Sequence, residues 1–202
     1  KFIINEKEKI IAVYYLVDTM YESYEYDESS NRDIYRKIIP NEIEEITNYT
    51  YYKNTNEGNT NRLKTDNEYG YVWDANGNLT EKGKVYTLSG EELIFDNEEG
   101  EYWLYEYDLL NRLVKVSKSE NGTDNVEDIA EYTYDHNGYR GKKVRQAADG
   151  LETVYYVFGL GGEVLYKEQV EKDTYEEFVY VSGKHFAKYE GKLSEATVVK
   201  YF

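Results

Sequence analysis

The chain of 202 residues sets 24 basic side chains against 40 acidic ones, a formal charge of −16, and contains 25 tyrosines, one proline and no cysteine. That sign, spread along the whole chain, argues against nucleic acid and anionic membrane surfaces as partners, because both are bound by Lys and Arg that replace counterions. Disulfides and thiolate metal sites are excluded, and no stretch reaches the ~18–20 consecutive apolar residues of a helix inserted in a membrane.

In chain order, residues 1–17 predict a hairpin. Lys1-Phe2-Ile3-Ile4 leads through a charged turn at 5–9 into the apolar run Ile10 to Val17, which reads as one strand buried on both faces. Tyr24-Glu25-Tyr26-Asp27 then alternates at the period of a strand. Residues 34–52 are less regular. Pro40-Asn41 marks a turn, and Glu42 to Ile46 has local helical character that the Thr/Tyr-rich continuation to Tyr52 pulls towards strand. Asn54 to Asn61 reads as a polar loop. Tyr71-Val72-Trp73-Asp74 runs into Asn76-Gly77, where glycine supplies the positive φ of a tight hairpin. Further turns fall at Gly90-Glu91 and at 97–100.

Tyr102 to Val116 reads as two strands about a turn, with Trp103, Tyr105 and Tyr107 on one face and Asp108 closing the first strand. Residues 118–128 predict a long surface loop open to proteolytic nicking. Tyr132-Thr133-Tyr134-Asp135 enters the turn Asn137-Gly138. Val154 to Phe158 and Val164 to Tyr166 flank Gly159-Leu160-Gly161-Gly162, and Phe178 to Val181 pairs with Phe186 to Tyr189 across Ser182-Gly183-Lys184. The result is an all-β chain of repeated antiparallel hairpins, stacked into an elongated, curved or spiralling sheet and taken as one unit over 1–202. It starts without Met and stops in strand-like residues, and is read as a fragment of a longer polypeptide.

The organising feature is the Tyr-Asp step. It occurs at Tyr26-Asp27, Trp73-Asp74, Tyr107-Asp108 and Tyr134-Asp135, each followed by turn residues that include Asn31-Arg32, Gly77-Asn78, Asn111-Arg112 or Gly138-Tyr139-Arg140. Asp108 and Asp135 lie 27 residues apart, within the range that marks a repeat architecture. With weaker copies included, the repeats fall near 24–38, 49–64, 71–82, 102–117, 132–145, 154–167 and 178–190. Tyrosine suits such a sheet, since its ring fills a pleated surface while its hydroxyl reaches water or a partner.

The pattern aromatic-x-Tyr-Asp-x-x-Gly/Asn-Arg-Leu resembles the YD repeat of the Rhs/YD-repeat family, which includes bacterial polymorphic toxins, the cocoon-forming subunits of insecticidal toxin complexes, and the teneurins. The resemblance covers roughly residues 20–190. It implies hairpins stacked side by side into a sheet that spirals into a hollow shell, with Tyr26, Asp27, Trp73, Asp74, Tyr107, Asp108, Tyr134 and Asp135 as structural repeat positions. Tyr105, Gly77, Gly138, Arg112 and Arg140 belong to the same framework. Trp73 replaces the usual Tyr, and Lys53 and Gly159 stand where Asp is expected.

Chemistry-bearing constellations are weighed against this framework. Asp74-Ala75-Asn76-Gly77-Asn78 resembles a calcium loop, but glycine falls at position four rather than six, and Val85 occupies the position of the bidentate Glu. A hairpin turn accounts for it better, and the same holds for Asp135 to Gly138. Gly159 to Gly162 lacks the Lys-Ser/Thr of a phosphate loop. His136 and His185 have no nucleophile motif near them, and adjacent acids such as Glu176-Glu177 point to opposite faces of a strand. Arg32, Arg62, Arg112 and Arg140 recur after the turns, where a guanidinium can stack on a neighbouring ring and bond an Asp at once.

The expectation is therefore a structural segment with no catalytic residues, no metal site and no cofactor. By the resemblance, its partners are the remainder of the same polypeptide, meaning neighbouring YD repeats and an enclosed cargo, often a C-terminal toxin domain. Its location is then secreted or on the surface of a bacterium. The alternative is an extracellular adhesion surface whose aromatic side chains bind a protein or glycan receptor.

Overall fold

The computed structural model describes residues 2–4, 10–13, 15–17, 20–38, 44–54, 58–90 and 92–195. The chain divides into two compact units, Lys1–Trp103 with Ser119–Asn125, and Leu104–Lys118 with Val126–Phe202. Among the described residues every regular element is an antiparallel strand, apart from one 3₁₀ turn at Leu193–Glu195.

In the first unit, β1 (Phe2–Ile4) pairs with β2 (Ile10–Val13). A second sheet runs in order through β3 (Tyr15–Val17), β4 (Met20–Tyr26), β5 (Arg32–Ile38) and β6 (Glu45–Asn48). Then β7 (Thr50–Asn54), β8 (Gly58–Thr65), β9 (Gly70–Trp73) and β10 (Leu79–Gly83) follow one another as hydrogen-bonded neighbours. Two expectations need correction here. The apolar run 10–17 is not one strand, because β2 pairs back to β1 while β3 pairs forward to β4; apolarity marks a strand but does not choose its partner. The expected loop 54–61 is strand at 54 and 58–61, with Lys53 opposite Asn59, and its residues 55–57 lie outside the described ones. The Thr60 hydroxyl donates to the Tyr52 carbonyl at 2.8 Å. The helical alternative at 42–46 gives way to β6 from Glu45. The turns at 5–9 and Pro40-Asn41 lie outside the described residues.

The core of this unit comes from a hairpin that carries no Tyr-Asp step. β11 (Tyr86–Ser89) and β12 (Glu92–Phe95) place Leu93 and Phe95 inside, at 7% and 8% exposure. They rest on glycines: a Cβ at Gly70 would come within 2.6 Å of Leu93, and one at Gly83 within 2.5 Å of Phe95. Phe95 meets Tyr102, at the start of β13 (Tyr102–Tyr107), edge to face at 5.2 Å. The buried Tyr102 hydroxyl donates to Glu81 at 2.8 Å.

The expected nicking loop is shorter than 118–128 and is fastened down. The N–H groups of Gly122, Thr123 and Asp124 donate to the carbonyls of Gly100, Asp96 and Asn97 at 2.7, 2.9 and 3.0 Å. Gly122 is buried against the Asn97–Glu98 backbone with φ +70.

In the second unit, β14 (Leu113–Ser119), β15 (Glu127–Tyr134), β16 (Arg140–Ala147), β17 (Gly150–Phe158), β18 (Val164–Gln169), β19 (Thr174–Val181) and β20 (Lys184–Lys192) are consecutive antiparallel neighbours. Period two separates the faces. One carries Val154, 2% exposed, and the ion pairs Arg145–Glu152, Lys167–Glu176 and Lys188–Glu176. The other carries a ladder of rings, with Tyr166 to Tyr175 at 5.9 Å and Tyr175 to Tyr189 at 6.1 Å. The last turn is a residue shorter than expected. Lys184 pairs with Val181, leaving Ser182 and Gly183, both at positive φ, as the two-residue turn that matches the twist of a hairpin.

Candidate functional site

The four Tyr-Asp turns are copies of one device. In each, the Asp N–H donates to the carbonyl four residues on, at 2.9–3.0 Å, in the pairs Asp27–Asn31, Asp74–Asn78, Asp108–Arg112 and Asp135–Tyr139. The Asp carbonyl accepts the N–H three residues on, from Ser30, Gly77, Asn111 and Gly138. Those third residues all have positive φ, 67, 89, 59 and 86 respectively, which Gly and Asn adopt at least cost. The aspartate side chain then holds the loop from within, its Oδ1 accepting the N–H of Asn31, Asn78, Arg112 or Tyr139 at 2.8–3.0 Å. This is why the motif needs Asp: a short acceptor that reaches its own backbone.

The second carboxylate oxygen is also engaged in three of the turns. Asn31 and Asn78 donate side-chain amides to Asp27 and Asp74 at 3.1 and 2.8 Å, and the Arg112 Nε donates to Asp108 at 2.7 Å. The Asn78 side chain and then its backbone N–H hold the Asp74 carboxyl below the usual range. For Asp108 the Arg112 backbone N–H leads, joined by the guanidinium. A carboxylate saturated this way serves its own turn; it is not presented to a substrate. The turn at Gly159 keeps the same backbone bonds, to Glu163 and from Gly162, with no carboxylate at its first position.

The arginines do not hold equivalent positions, as their recurrence in the sequence suggested. Arg112 sits inside its turn, four residues after Asp108, whereas Arg32 and Arg140 come five after theirs and pair across the strand with Tyr26 and Tyr134. All three lie over tyrosine rings, Arg32 over Tyr24 at 4.9 Å, Arg112 over Tyr134 at 4.9 Å and Arg140 over Tyr132 at 4.4 Å. Arg62 instead donates to the Ala75 carbonyl at 3.2 Å.

Three of the hairpins are also locked to the one before. Tyr51 donates its hydroxyl to the Arg32 carbonyl, the Trp73 indole N–H to that of Leu63, and Tyr134 its hydroxyl to that of Leu113, at 2.7–2.8 Å. Trp73 therefore does the work of the usual Tyr, as any aromatic with a polar tip at that height would. Arg112 adds a bond to the Asp135 carbonyl at 3.2 Å. Tyr105 and Tyr107 lie half-buried with Glu106 exposed between them. His136 is exposed in its turn, and His185 packs against the rings of Phe178 and Tyr180. The interlocking donors were the signal missed in sequence, although the aromatics preceding Asp74 and Asp135 were the clue to two of them.

Turns of this construction, three of their hairpins joined to the one before by an aromatic donor, define an all-β protein of repeated antiparallel hairpins. Comparison of the fold agrees. The crystal structure of TcdB2-TccC3-TEV matches 98% of this chain and 10% of its own, at 12% identity and a TM-score of 0.60. That of TcdB2-TccC3-Cdc42 matches 94% of this chain and 10% of its own, at 13% identity and a TM-score of 0.57. The chain thus has the β-hairpin fold found in the TcdB2-TccC3 toxin complex, and spans about a tenth of the length of those chains. No protein-family model matches the sequence, and no curated protein does.

Proposed function

We propose that this chain is a non-catalytic segment of the wall of a YD-repeat shell that encloses a cargo, with a toxin domain as the enclosed partner and secretion or the bacterial surface as its place of action. One observation carries the reading. The Asp carboxylates that punctuate the chain are consumed by their own turns, and the aromatic tips by the preceding hairpin, so the repeated residues hold a sheet together. The fold shared with TcdB2-TccC3 supports it. Adhesion is the less favoured reading. Tyr166 and Tyr175 turn their faces to one another, and a sugar would need those faces.

The test is limited proteolysis and electron microscopy of the polypeptide encoded by the complete gene. The wall reading expects a closed particle in which a downstream segment resists protease until Trp73→Ala and Tyr134→Phe are introduced together. An open particle, or a downstream segment digested at the same rate with and without those changes, overturns it.

A further inference from the structure

Tyr24 and Tyr35 use their hydroxyls differently from the interlocking tyrosines. Tyr51 and Tyr134 donate to backbone carbonyls of the preceding hairpin, whereas Tyr24 and Tyr35 donate to a carboxylate of their own. They stand directly opposite each other across β4 and β5. Their ring centres are 5.1 Å apart and their planes 30° from parallel, the geometry of an attractive aromatic pair. Glu22 lies two residues before Tyr24, hence on the same face of β4. Its Oε1 accepts the Tyr35 hydroxyl at 2.9 Å and its Oε2 the Tyr24 hydroxyl at 3.3 Å. Tyr69 and Tyr71 show the contrast, with ring centres 6.4 Å apart and separate acceptors in Glu101 and Asp66.

One carboxylate serving two phenols has two chemical consequences. The hydroxyl ends of the stacked rings are drawn together, and the ortho carbon beside each hydroxyl comes with them. Each phenol also has a proton acceptor in contact. Burial, followed by the Glu22 bond, pushes the Tyr35 hydroxyl up to about 12, and burial and the Glu22 charge raise that of Tyr24. Both phenols are therefore protonated at neutral pH. Taking an electron from either ring requires its proton to leave as well, and Glu22 is placed to receive it. Both rings are half-buried, so neither is sealed from an oxidant in solution.

We infer that Tyr24, Tyr35 and Glu22 form a site of oxidative modification, at which a one-electron oxidant of the peroxide-activated haem class joins the two rings as a dityrosine. Each phenol gives one electron to the oxidant and its hydroxyl proton to Glu22, which passes the protons to water in turn. The two phenoxyl radicals form one bond between their ortho carbons. The hydrogens on those carbons leave as protons while each oxygen regains one, which restores two phenols. In all, two electrons and two protons are lost, and two equivalents of oxidant are reduced. The product is a covalent staple between β4 and β5, in a chain with no cysteine to make one from thiols. Such a staple is independent of any enclosed cargo.

The test is brief oxidation of the folded chain by ruthenium(III) tris-bipyridine, generated with light and limiting persulfate, followed by trypsin and mass spectrometry. Trypsin separates the two rings at Arg32, so the cross-link appears as residues 10–32 joined to residues 33–36, lighter by two hydrogens than their sum. Tyr35 is the one tyrosine in 33–36, and fragmentation should place the other end of the bond at Tyr24. The joined peptides are expected to be lost in Tyr24→Phe, which keeps the ring stack, and to fall sharply in urea above the unfolding midpoint. They should also fall in Glu22→Gln, which still accepts a hydrogen bond but is no base. Absence of the joined peptides from the folded parent, a bond placed at another tyrosine, survival in Tyr24→Phe, or an equal yield in urea or in Glu22→Gln overturns the assignment.

Discussion

The packing of Phe95 on Gly83 sets up a double-mutant cycle whose outcome is fixed by geometry. Gly83 has ordinary strand φ, so alanine there is free of backbone strain and gains about 0.4–1 kcal/mol by restricting the unfolded chain. Its new methyl would lie 2.5 Å from Cδ1 and 2.8 Å from Cε1 of Phe95. Neither gap admits two carbons, so the ring must move, at the 1–3 kcal/mol typical of overpacking. Gly83→Ala should therefore destabilise by about 1–2 kcal/mol. Phe95→Ala removes an 8%-exposed ring and its edge contact with Tyr102, and should cost about 3–5 kcal/mol. With the ring gone the clash is gone too. Adding Gly83→Ala to Phe95→Ala should then be neutral or slightly stabilising, a coupling of about 2 kcal/mol. Urea unfolding followed by far-ultraviolet circular dichroism measures all four corners. Additive losses would mean that β12 does not lie on Gly83.

Three further outcomes are expected. Asp108→Ala should speed hydrogen exchange at the Leu110 and Arg112 amides, which its Oδ1 holds at 2.9 and 3.0 Å, with Asp108→Asn intermediate; unchanged exchange at both would refute the turn bonding. The depressed carboxyls of Asp74 and Asp108 favour the folded chain when ionised, so their contribution is complete above the unfolded carboxyl pKa near ~4 and is lost as pH falls through the lower folded value. Acid unfolding of the Asp74→Asn/Asp108→Asn double variant should be the less steep of the two, and a curve parallel to that of the parent chain would contradict this. Gly122→Ala should undock the 120–126 loop, because its Cβ would lie 2.5 Å from the Glu98 nitrogen, where backbone has no room to give. Glu-specific cleavage confined to that loop, at Glu120, is the sign to look for, and resistance equal to the parent's would count against the docking.

Much of this was legible beforehand because Asp is a local device. The acceptor, its two N–H donors and the positive-φ residue all lie within five positions of sequence, so Asp74 to Asn78 and Asp108 to Arg112 announce their turns unaided. Of the β11–β12 hairpin only the turn at Gly90 was legible. Its strands are four residues long, and Gly70 and Gly83 read as weak points of a strand until a ring is seen to occupy the space they leave. The run Ile10 to Val17 failed for a related reason, since a change of sheet partner leaves no mark on hydrophobicity. The long surface loop expected at 118–128 was inferred from polarity alone, while its anchorage depends on backbone groups that polarity does not report.

The bonds that lock one hairpin to the next join residues 10, 19, 21 and 23 positions apart. Each closes a short stretch of chain, so the entropy of closure stays small and roughly equal at every step. Architecture of this kind is modular. A whole hairpin can be gained or lost between two turns, and the neighbours re-form the same bonds with whichever aromatic comes next, whereas the gain or loss of a single residue within a strand sends its side chains to the wrong face. Length variation across such proteins should accordingly proceed by entire repeats, with strand interiors tolerating substitution far better than insertion.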